Sequence, residues 1–226
     1  GICLYEGELL PAIFRGQPIH CDAGPNVVRA YPTKQVGAGY TAEMVNVLYG
    51  ARDNWFRPSD VCVAPDGSLM VSDWYDPGVG GHRMGDADKG RIFRVAVPGA
   101  KYVVPKYDFT TPEGAVEALK SPNLEARYLA WQALHEMGDK AEAALTALWK
   151  DKNPRYRARA FWLLGNLENR DKRVAIMLAG LRDENPDIRC AAVRLARQLR
   201  GQYTMDEIGE ALKLYDTSPA VRREIL

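Results

Sequence analysis

The sequence predicts an α+β protein in which an all-β part is followed by a solenoid of α-helical repeats. In the first part, apolar and polar residues alternate in two short runs, 61–64 and 69–72, on either side of Asp66 and Gly67. Alternation with a period of two is typical of β-strands, and Asp-Gly between two such runs indicates a hairpin. In the second part, a capping residue followed four positions later by arginine recurs four times. Recurrence at a period of about 30 residues is typical of stacked helical repeats.

Composition limits the functions to consider. The 226 residues are 46% hydrophobic and 26% charged, which is ordinary for a globular protein with one large domain or two small ones. The net charge of +1 gives no field that would select nucleic acid or an acidic membrane as a partner. No apolar run is long enough to cross a bilayer. We therefore expect neither a nucleic-acid partner nor a transmembrane segment in this chain.

The β part is assigned to residues 1–100. Besides the hairpin, whose turn is predicted to be type I′ with positive φ at both central residues, three runs predict strands: 27–31, 42–48 and 91–97. Strands at this spacing favour a sandwich, a barrel or a propeller. Because the second hairpin strand runs into a glycine-rich loop, the pattern resembles a β-propeller blade. We therefore expect a partial β-propeller of about two blades, which is too few to close a ring.

Residues 101–111 are expected to form a packed connecting strap, because they are rich in valine and aromatic residues. Thr111, Pro112 and Glu113 then predict the start of a helix, with Thr111 as the N-cap and Pro112 at the first helical position. Residues 112–226 are assigned to the helical repeats.

The helical repeats share one pattern, whose recurring arginines are Arg127, Arg157, Arg189 and Arg222. An alanine three residues after each of the first three lets paired helices approach closely, and leucines such as Leu164 fill the seam between them. The second helices of the repeats are predicted over 140–149, 170–181 and 205–215. The pattern resembles HEAT-type repeats. We interpret the arginines as structural bridges to acids or helix-end carbonyls of neighbouring repeats.

The loop that follows the hairpin carries the candidate site. It contains five glycines between Asp76 and Gly90, together with His82, Asp86 and Asp88. His82 is the candidate catalytic base or direct ligand contact. Asp76, Asp86 and Asp88 are candidate ligands of a hard cation such as calcium, or acceptors that orient His82. The alternative is structural: the glycines permit tight turns, and the carboxylates cap backbone N–H groups.

Three other polar groups are weaker candidates. His20, Cys21 and Asp22 end an apparent strand, but adjacent residues of a strand point to opposite faces, which favours blade packing over metal binding. His135 is interpreted as a solvated or seam residue. A helical flank carries Arg194, Arg197 and Arg200, and acidic neighbours favour a solvated, salt-bridged face over DNA binding.

The four cysteines and the two ends of the chain do not indicate the cellular compartment of the protein. Cys3, Cys21, Cys62 and Cys190 form no C-x-x-C pair, so no zinc site, thioredoxin motif or C-x-x-C-H haem attachment is expected. Two disulfides remain an alternative to small buried thiols, which we favour. The first residues are strand-like without an initiator methionine, and the last lie within a helical pattern. We therefore expect a fragment.

A longer stretch, Phe56–Val95, is similar to a known family, and His20–Tyr31 and Asn153–Ala160 also fit. These residues resemble the membrane-bound dehydrogenases of planctomycetes and related bacteria. That family couples a propeller akin to the glucose/sorbosone dehydrogenases to HEAT repeats, often with a C-terminal cytochrome c segment. The resemblance implies an extracytoplasmic parent, periplasmic or membrane-associated, with a propeller ending near residue 98. It also makes pyrroloquinoline quinone and calcium candidate cofactors of that parent.

We therefore expect this chain to be part of an extracytoplasmic sugar or alcohol dehydrogenase. Its solenoid would serve as a scaffold or protein-docking surface. The chain by itself is expected to be inactive, because most of the ring that would hold a quinone is absent. The alternative is a non-catalytic propeller-solenoid protein that only binds other proteins.

Overall fold

The computed structural model describes residues 1–50, 52–78, 88–204 and 216–225. The chain divides into two compact units. The first contains residues 1–34, 41–106 and 121–126; the second contains residues 35–40, 107–120 and 127 onwards. The predicted division into 1–100, 101–111 and 112–226 stays a prediction.

The N-terminal part is all β, as predicted. Its strands are β1 Ile2–Leu4, β2 Pro18–Asp22, β3 Val27–Ala30, β4 Thr33–Val36, β5 Gly39–Ala42, β6 Val45–Tyr49, β7 Pro58–Val63, β8 Leu69–Asp73 and β9 Arg91–Val95. One antiparallel sheet has the order β1-β2-β3-β6, a second has the order β7-β8-β9, and β4 pairs with β5. Within the described ranges these sheets form no closed barrel. The predicted strands at 27–31, 42–48 and 91–97 correspond to β3, β6 and β9 with shifted ends.

The core of the first unit is built from one face of each larger sheet. Ile19 and Val28 from one sheet and Leu69 and Val71 from the other are fully buried in the same cluster. Tyr5 is also fully buried, and its hydroxyl donates to Gly67 O at 2.7 Å and accepts from the Leu10 amide at 2.8 Å. The buried phenol therefore has partners for both of its hydrogen-bonding roles.

The β7–β8 hairpin was predicted correctly, but its turn type was wrong. Gly67 has a φ of +84°, whereas Asp66 is not among the residues with positive φ. The Gly67 amide donates to Ala64 O at 2.9 Å, so Pro65 and Asp66 are the central residues of the turn. Proline fixes φ near −65°, which excludes a type I′ turn and favours a type I turn followed by a left-handed glycine.

The helices are α1 Pro112–Leu119, α2 Leu124–Met137, α3 Glu142–Leu148, α4 Pro154–Leu164, α5 Arg170–Leu181, α6 Pro186–Gln198 and α7 Pro219–Ile225. Two predicted second helices can be compared. The helix predicted over 170–181 is α5, with the same ends. The helix predicted over 140–149 is the shorter α3, because a 3₁₀ turn occupies Gly138–Ala141. The third, over 205–215, lies outside the described residues.

Local sequence signals set where the helices begin. The Thr111 hydroxyl accepts from the Gly114 amide at 3.2 Å, with Pro112 in the first turn, as predicted. Asn153 and Asn185 cap α4 and α6 in the same way, and each is followed by proline. A side-chain acceptor at the N-cap satisfies one of the helix's free N–H groups, which is why Asn-Pro marks the start of these two helices.

The core of the second unit confirms the predicted seam. Ala130, Ala160 and Ala192, the alanines three residues after the recurring arginines, are fully buried. Leu164 is 5% exposed and belongs to the same cluster as Ala130 and Ala160. Small residues let the helices pack closely and leucines fill the remaining space, so the repeat register derived from the sequence is correct.

The predicted bridges between repeats are confirmed for two of the recurring arginines, Arg157 and Arg189. Arg157 donates to the carboxylate of Asp183 at 2.9 Å and to the carbonyls of residues 151 and 152. Arg189 pairs with Asp216 at 2.7 Å and donates to the carbonyls of residues 183 and 184, and Arg222 donates to those of residues 216 and 217. The hydrogen bond from Arg189 holds the pKa of Asp216 below its usual value. Arg157 and Arg189 thus each link one repeat's first helix to the next repeat's turn, whereas the contacts given for Arg222 are to the turn before its own helix.

The predicted strap is only partly packed. Tyr107 and Phe109 pack against the core of the second unit. Val103 and Val104, which belong to the first unit, are more than half exposed. Apolar composition alone therefore overstated the burial of residues 101–106.

Candidate functional site

A network of charges lies where β8 ends. The carboxylate of Asp73, which is fully buried, accepts from the amides of Arg57 and Tyr75 at 2.7 and 2.9 Å. Its other oxygen pairs with Arg91 at 2.6 Å, and Arg91 also reaches Asp53 at 2.8 Å. The hydrogen bond from Arg91 holds the pKa of Asp53 below its usual value. The network fixes the start of the loop that leads towards the predicted site.

Aromatic rings surround this network. The Arg91 guanidinium lies 4.0 Å from the centre of the Tyr75 ring, and the Trp55 ring packs against the same tyrosine at 5.6 Å. Tyr75 has a φ of +47°, which is unusual for a bulky residue. Trp74 is 54% exposed beside it. The end of β8 therefore presents large rings to solvent from a backbone that hydrogen bonds hold in place.

Arg57 is buried at the same end of the sheet. It donates to the carbonyls of Phe56 and Pro77 at 3.1 Å each, and its Nε has no hydrogen-bond partner in the described part of the chain. Sequence reasoning missed Arg57, Asp73 and Arg91, because partners on different strands leave no spacing pattern in the sequence.

The predicted site residues fall in two groups. Asp76 is buried, with 4% exposure, and its carboxylate accepts from the Gly78 amide at 2.7 Å. This is the turn-capping contact of the structural alternative. Asp88 is exposed. His82 and Asp86 lie outside the described residues, so their catalytic and metal-binding roles stay predictions.

In the described ranges no three His, Cys, Asp or Glu side chains come together to hold a metal ion. Over the same ranges no helix combines the length and the apolar character needed to span a bilayer. Asp76 and Asp88 alone therefore do not make a calcium site, and the predicted one depends on Asp86 and His82.

The weaker candidates have structural explanations. Asp22 pairs with Arg29 at 2.7 Å, and Cys21 faces the core, which agrees with a packing role for this strand. His135 is exposed and stacks on Trp131, with 5.0 Å between ring centres.

Two arginines of the basic flank on α6 form salt bridges with an acidic residue of the following helix, α7. Arg194 and Arg197 both pair with Glu224 of α7, at 2.8 and 2.7 Å. The predicted salt-bridged face is confirmed, with a partner in the following repeat.

A groove in the second unit lies between α3 and α5. It encloses about 270 Å³. Its walls include Thr146 of α3, Trp149 directly after that helix, and Ala175 and Ala179 of α5, and buried Leu164 also lines it. Where both helices begin, Lys172 pairs with Glu142 at 2.5 Å, and this hydrogen bond raises the pKa of the lysine. The groove is apolar along most of its length and polar at one end.

Comparison with known families agrees with this architecture. A family model described as HEAT repeats matches residues 112–181, and a model described as a domain of unknown function (DUF7133) matches residues 1–98. No curated protein and no solved structure matches the chain. The chain thus carries a helical-repeat region of the HEAT type, a class that commonly mediates protein interactions. The comparisons give no support for a dehydrogenase or for a planctomycete origin.

Proposed function

We propose that the helical repeats form a protein-docking scaffold, and that the groove between α3 and α5 receives an apolar side chain of the partner. The groove carries this proposal. Its 270 Å³ is enough for a large aliphatic or aromatic side chain, and buried leucine already lines it. Apolar concavities that accept an anchor residue are where binding energy concentrates in protein interfaces.

The composition of the walls supports the same function. Ala175, Ala179 and Thr146 are exposed, and their small side chains leave the groove open. Trp149 adds an aromatic surface, which is a residue type enriched at interfaces. The Lys172–Glu142 pair can exchange partners with a polar group next to the anchor, which would fix the orientation of the bound segment.

Filling the groove tests the docking role. Ala179→Trp places a large ring in it, and we expect at least a tenfold loss of affinity, which corresponds to about 1.4 kcal/mol, for the partner recovered with the full-length protein from its native cells. The matched control is Ala147→Trp, because Ala147 is exposed on α3 but does not line the groove. Quantitative mass spectrometry of co-purified proteins measures both variants. Equal recovery of the same partner by both would contradict the groove as docking site.

We further propose that the first unit is the end of a β-propeller in an extracytoplasmic sugar or alcohol dehydrogenase. Two observations support this proposal. The four-stranded sheet has the strand number of a blade, and the second sheet has three antiparallel strands with β8 leading into the predicted ligand loop. Pyrroloquinoline quinone and calcium would then be cofactors of the whole parent.

The full-length gene distinguishes this proposal from a non-catalytic binding protein. A complete propeller with a C-x-x-C-H segment favours a redox enzyme. Further repeats without that segment favour a protein that only binds other proteins.

Calcium titration tests the predicted ligand loop. If Asp76, Asp86 and Asp88 hold calcium with His82 beside them, Asp86→Ala should weaken calcium binding by the full-length protein at least about tenfold. His82→Ala should reduce activity with a smaller effect on calcium affinity. The control is Asp22→Ala, because Asp22 is a carboxylate outside residues 76–88 that already pairs with Arg29. Wild-type calcium affinity and activity in both loop variants would leave only the structural role.

A further inference from the structure

Three of the four cysteines lie together in the first unit. Cys3 is on β1, Cys21 on β2 and Cys62 on β7. In the β1–β2 register Cys3 is directly opposite Ile19, so Cys21 is its diagonal neighbour on the same face. The cluster was not apparent from the sequence, where the three residues are widely separated.

Strand β1 also runs alongside β7, although the two belong to different sheets. At one end the nitrogen of Gly1 donates to Ser59 O at 2.6 Å, and a Cβ placed on Gly1 would lie only 2.8 Å from the Cα of Asp60. At the other end the Tyr5 hydroxyl donates to Gly67 O at 2.7 Å. The two segments therefore advance in the same direction with their backbones in contact.

This alignment places Cys3 beside Cys62. Cys3 follows Gly1 by two residues, and Cys62 follows Asp60 by two residues. Since side-chain direction repeats every two residues along a strand, the two cysteines occupy the next positions that point the same way as Gly1 and Asp60. A disulfide spans Cα separations of about 4.4–6.8 Å, which is the range that this placement requires.

The electrostatics agree with this placement. Burial is the main cause that raises the pKa of Cys3 to about 12, and the neighbouring Cys62, Cys21 and Asp60 contribute to the same shift. Effects of this kind act between groups that are close in space. The three thiols differ in access: Cys62 is exposed, Cys3 is partly buried and Cys21 is 5% exposed. A reagent from solvent therefore meets Cys62 first.

We propose that Cys62 and Cys3 are an oxidisable pair, in which Cys62 reacts with a disulfide oxidant and Cys3 resolves the product. The Cys62 thiolate attacks one sulfur of the oxidant, forms a mixed disulfide and releases one thiolate. Cys3 then attacks the Cys62 sulfur, forms the Cys3–Cys62 bond and releases the second thiolate. Two protein thiols are oxidised, one oxidant disulfide is reduced to two thiols, and these take up the two protons.

The first step favours the second. Once Cys62 is in a mixed disulfide it can no longer carry a negative charge, so one of the influences that raise the pKa of Cys3 is removed. The product joins β1 to β7 and closes a long loop of the unfolded chain, which stabilises the first unit. Neither step depends on the docking or dehydrogenase proposals.

Oxidised glutathione is the probe. After incubation of the reduced full chain, we expect the intact mass to fall by two hydrogens, free thiols to drop from four to two, and the peptide map to link Cys3 to Cys62. Cys3→Ser should instead retain one glutathione on Cys62, and Cys62→Ser should carry neither a link nor an adduct. Cys190→Ser is the matched control, because Cys190 lies on α6 in the second unit; it should form the link like the wild type.

Each other outcome overturns the proposal. Four free thiols after oxidation would show that the pair does not react. A link from Cys3 to Cys21 would show that the diagonal pair is the closer one. A glutathione adduct that persists on the wild type would show that Cys3 cannot reach Cys62. The wild-type peptide map decides among these without any variant, so a poorly folding substitution does not affect the result.

Discussion

Replacing Arg157 by methionine is expected to lower the free energy of unfolding of the helical repeats by about 3–5 kcal/mol. Arg157 and Asp183 are each 10% exposed, and their pair is 2.9 Å long. Methionine keeps much of the side-chain volume but removes the cation, so Asp183 would keep a buried charge with only the Asn185 amide as a described partner. The carbonyls of residues 151 and 152 would also lose their donor. Urea unfolding followed by helical circular dichroism measures the loss.

The matched control for this prediction is Lys120→Met. Lys120 pairs with Glu117 on the surface of α1, where the glutamate side chain is 64% exposed. A solvated pair contributes about 0–1 kcal/mol, so the same substitution should have a small effect there. Similar losses in the two variants would contradict the view that the recurring arginines tie one repeat to the next.

Leu164→Ala is expected to cost about 2–5 kcal/mol, because it leaves a cavity between helices that the surrounding structure fills only in part. Leu164 is 5% exposed, belongs to the core of the second unit and lines the groove between α3 and α5. The same urea experiment measures the loss. The substitution should also deepen the groove, so its effect on partner binding should be read beside that of Ala179→Trp.

Leu129→Ala is the control for this second prediction. Leu129 is 51% exposed on α2, and truncating an exposed leucine should change stability by about 0.5 kcal/mol or less. A loss below about 1 kcal/mol for Leu164→Ala would be too small for a fully packed seam position. It would show that the leucine does not fill the space between the repeats.

The candidate sites differ in how far the sequence anticipated them. The loop from Asp76 to Asp88 was found from its glycines and acids, and the capping role of Asp76 was the stated structural alternative. The charged network of Arg57, Asp73 and Arg91 was not found. Asp73 and Arg91 are 18 residues apart, and they meet only because β8 and β9 pair in one register. No local pattern in the sequence therefore predicts the contact between Asp73 and Arg91.

The sequence by itself determined the elements and their order. Period-two alternation predicted the β part. The recurring capping residue, followed four positions later by arginine, predicted the repeats, their caps and their closely packed alanines. These features depend on hydrogen bonds and side-chain directions within a few residues, which composition and spacing encode directly.

Only the tertiary structure decided which residues meet across elements. Arg157 pairs with Asp183 at a separation of 26 residues, and Arg197 pairs with Glu224 at a separation of 27. The groove between α3 and α5 likewise exists only once consecutive repeats have stacked. The physical reason is that burial and packing act on whole faces of helices and sheets, so the partner of a given side chain depends on the register of every element between the two.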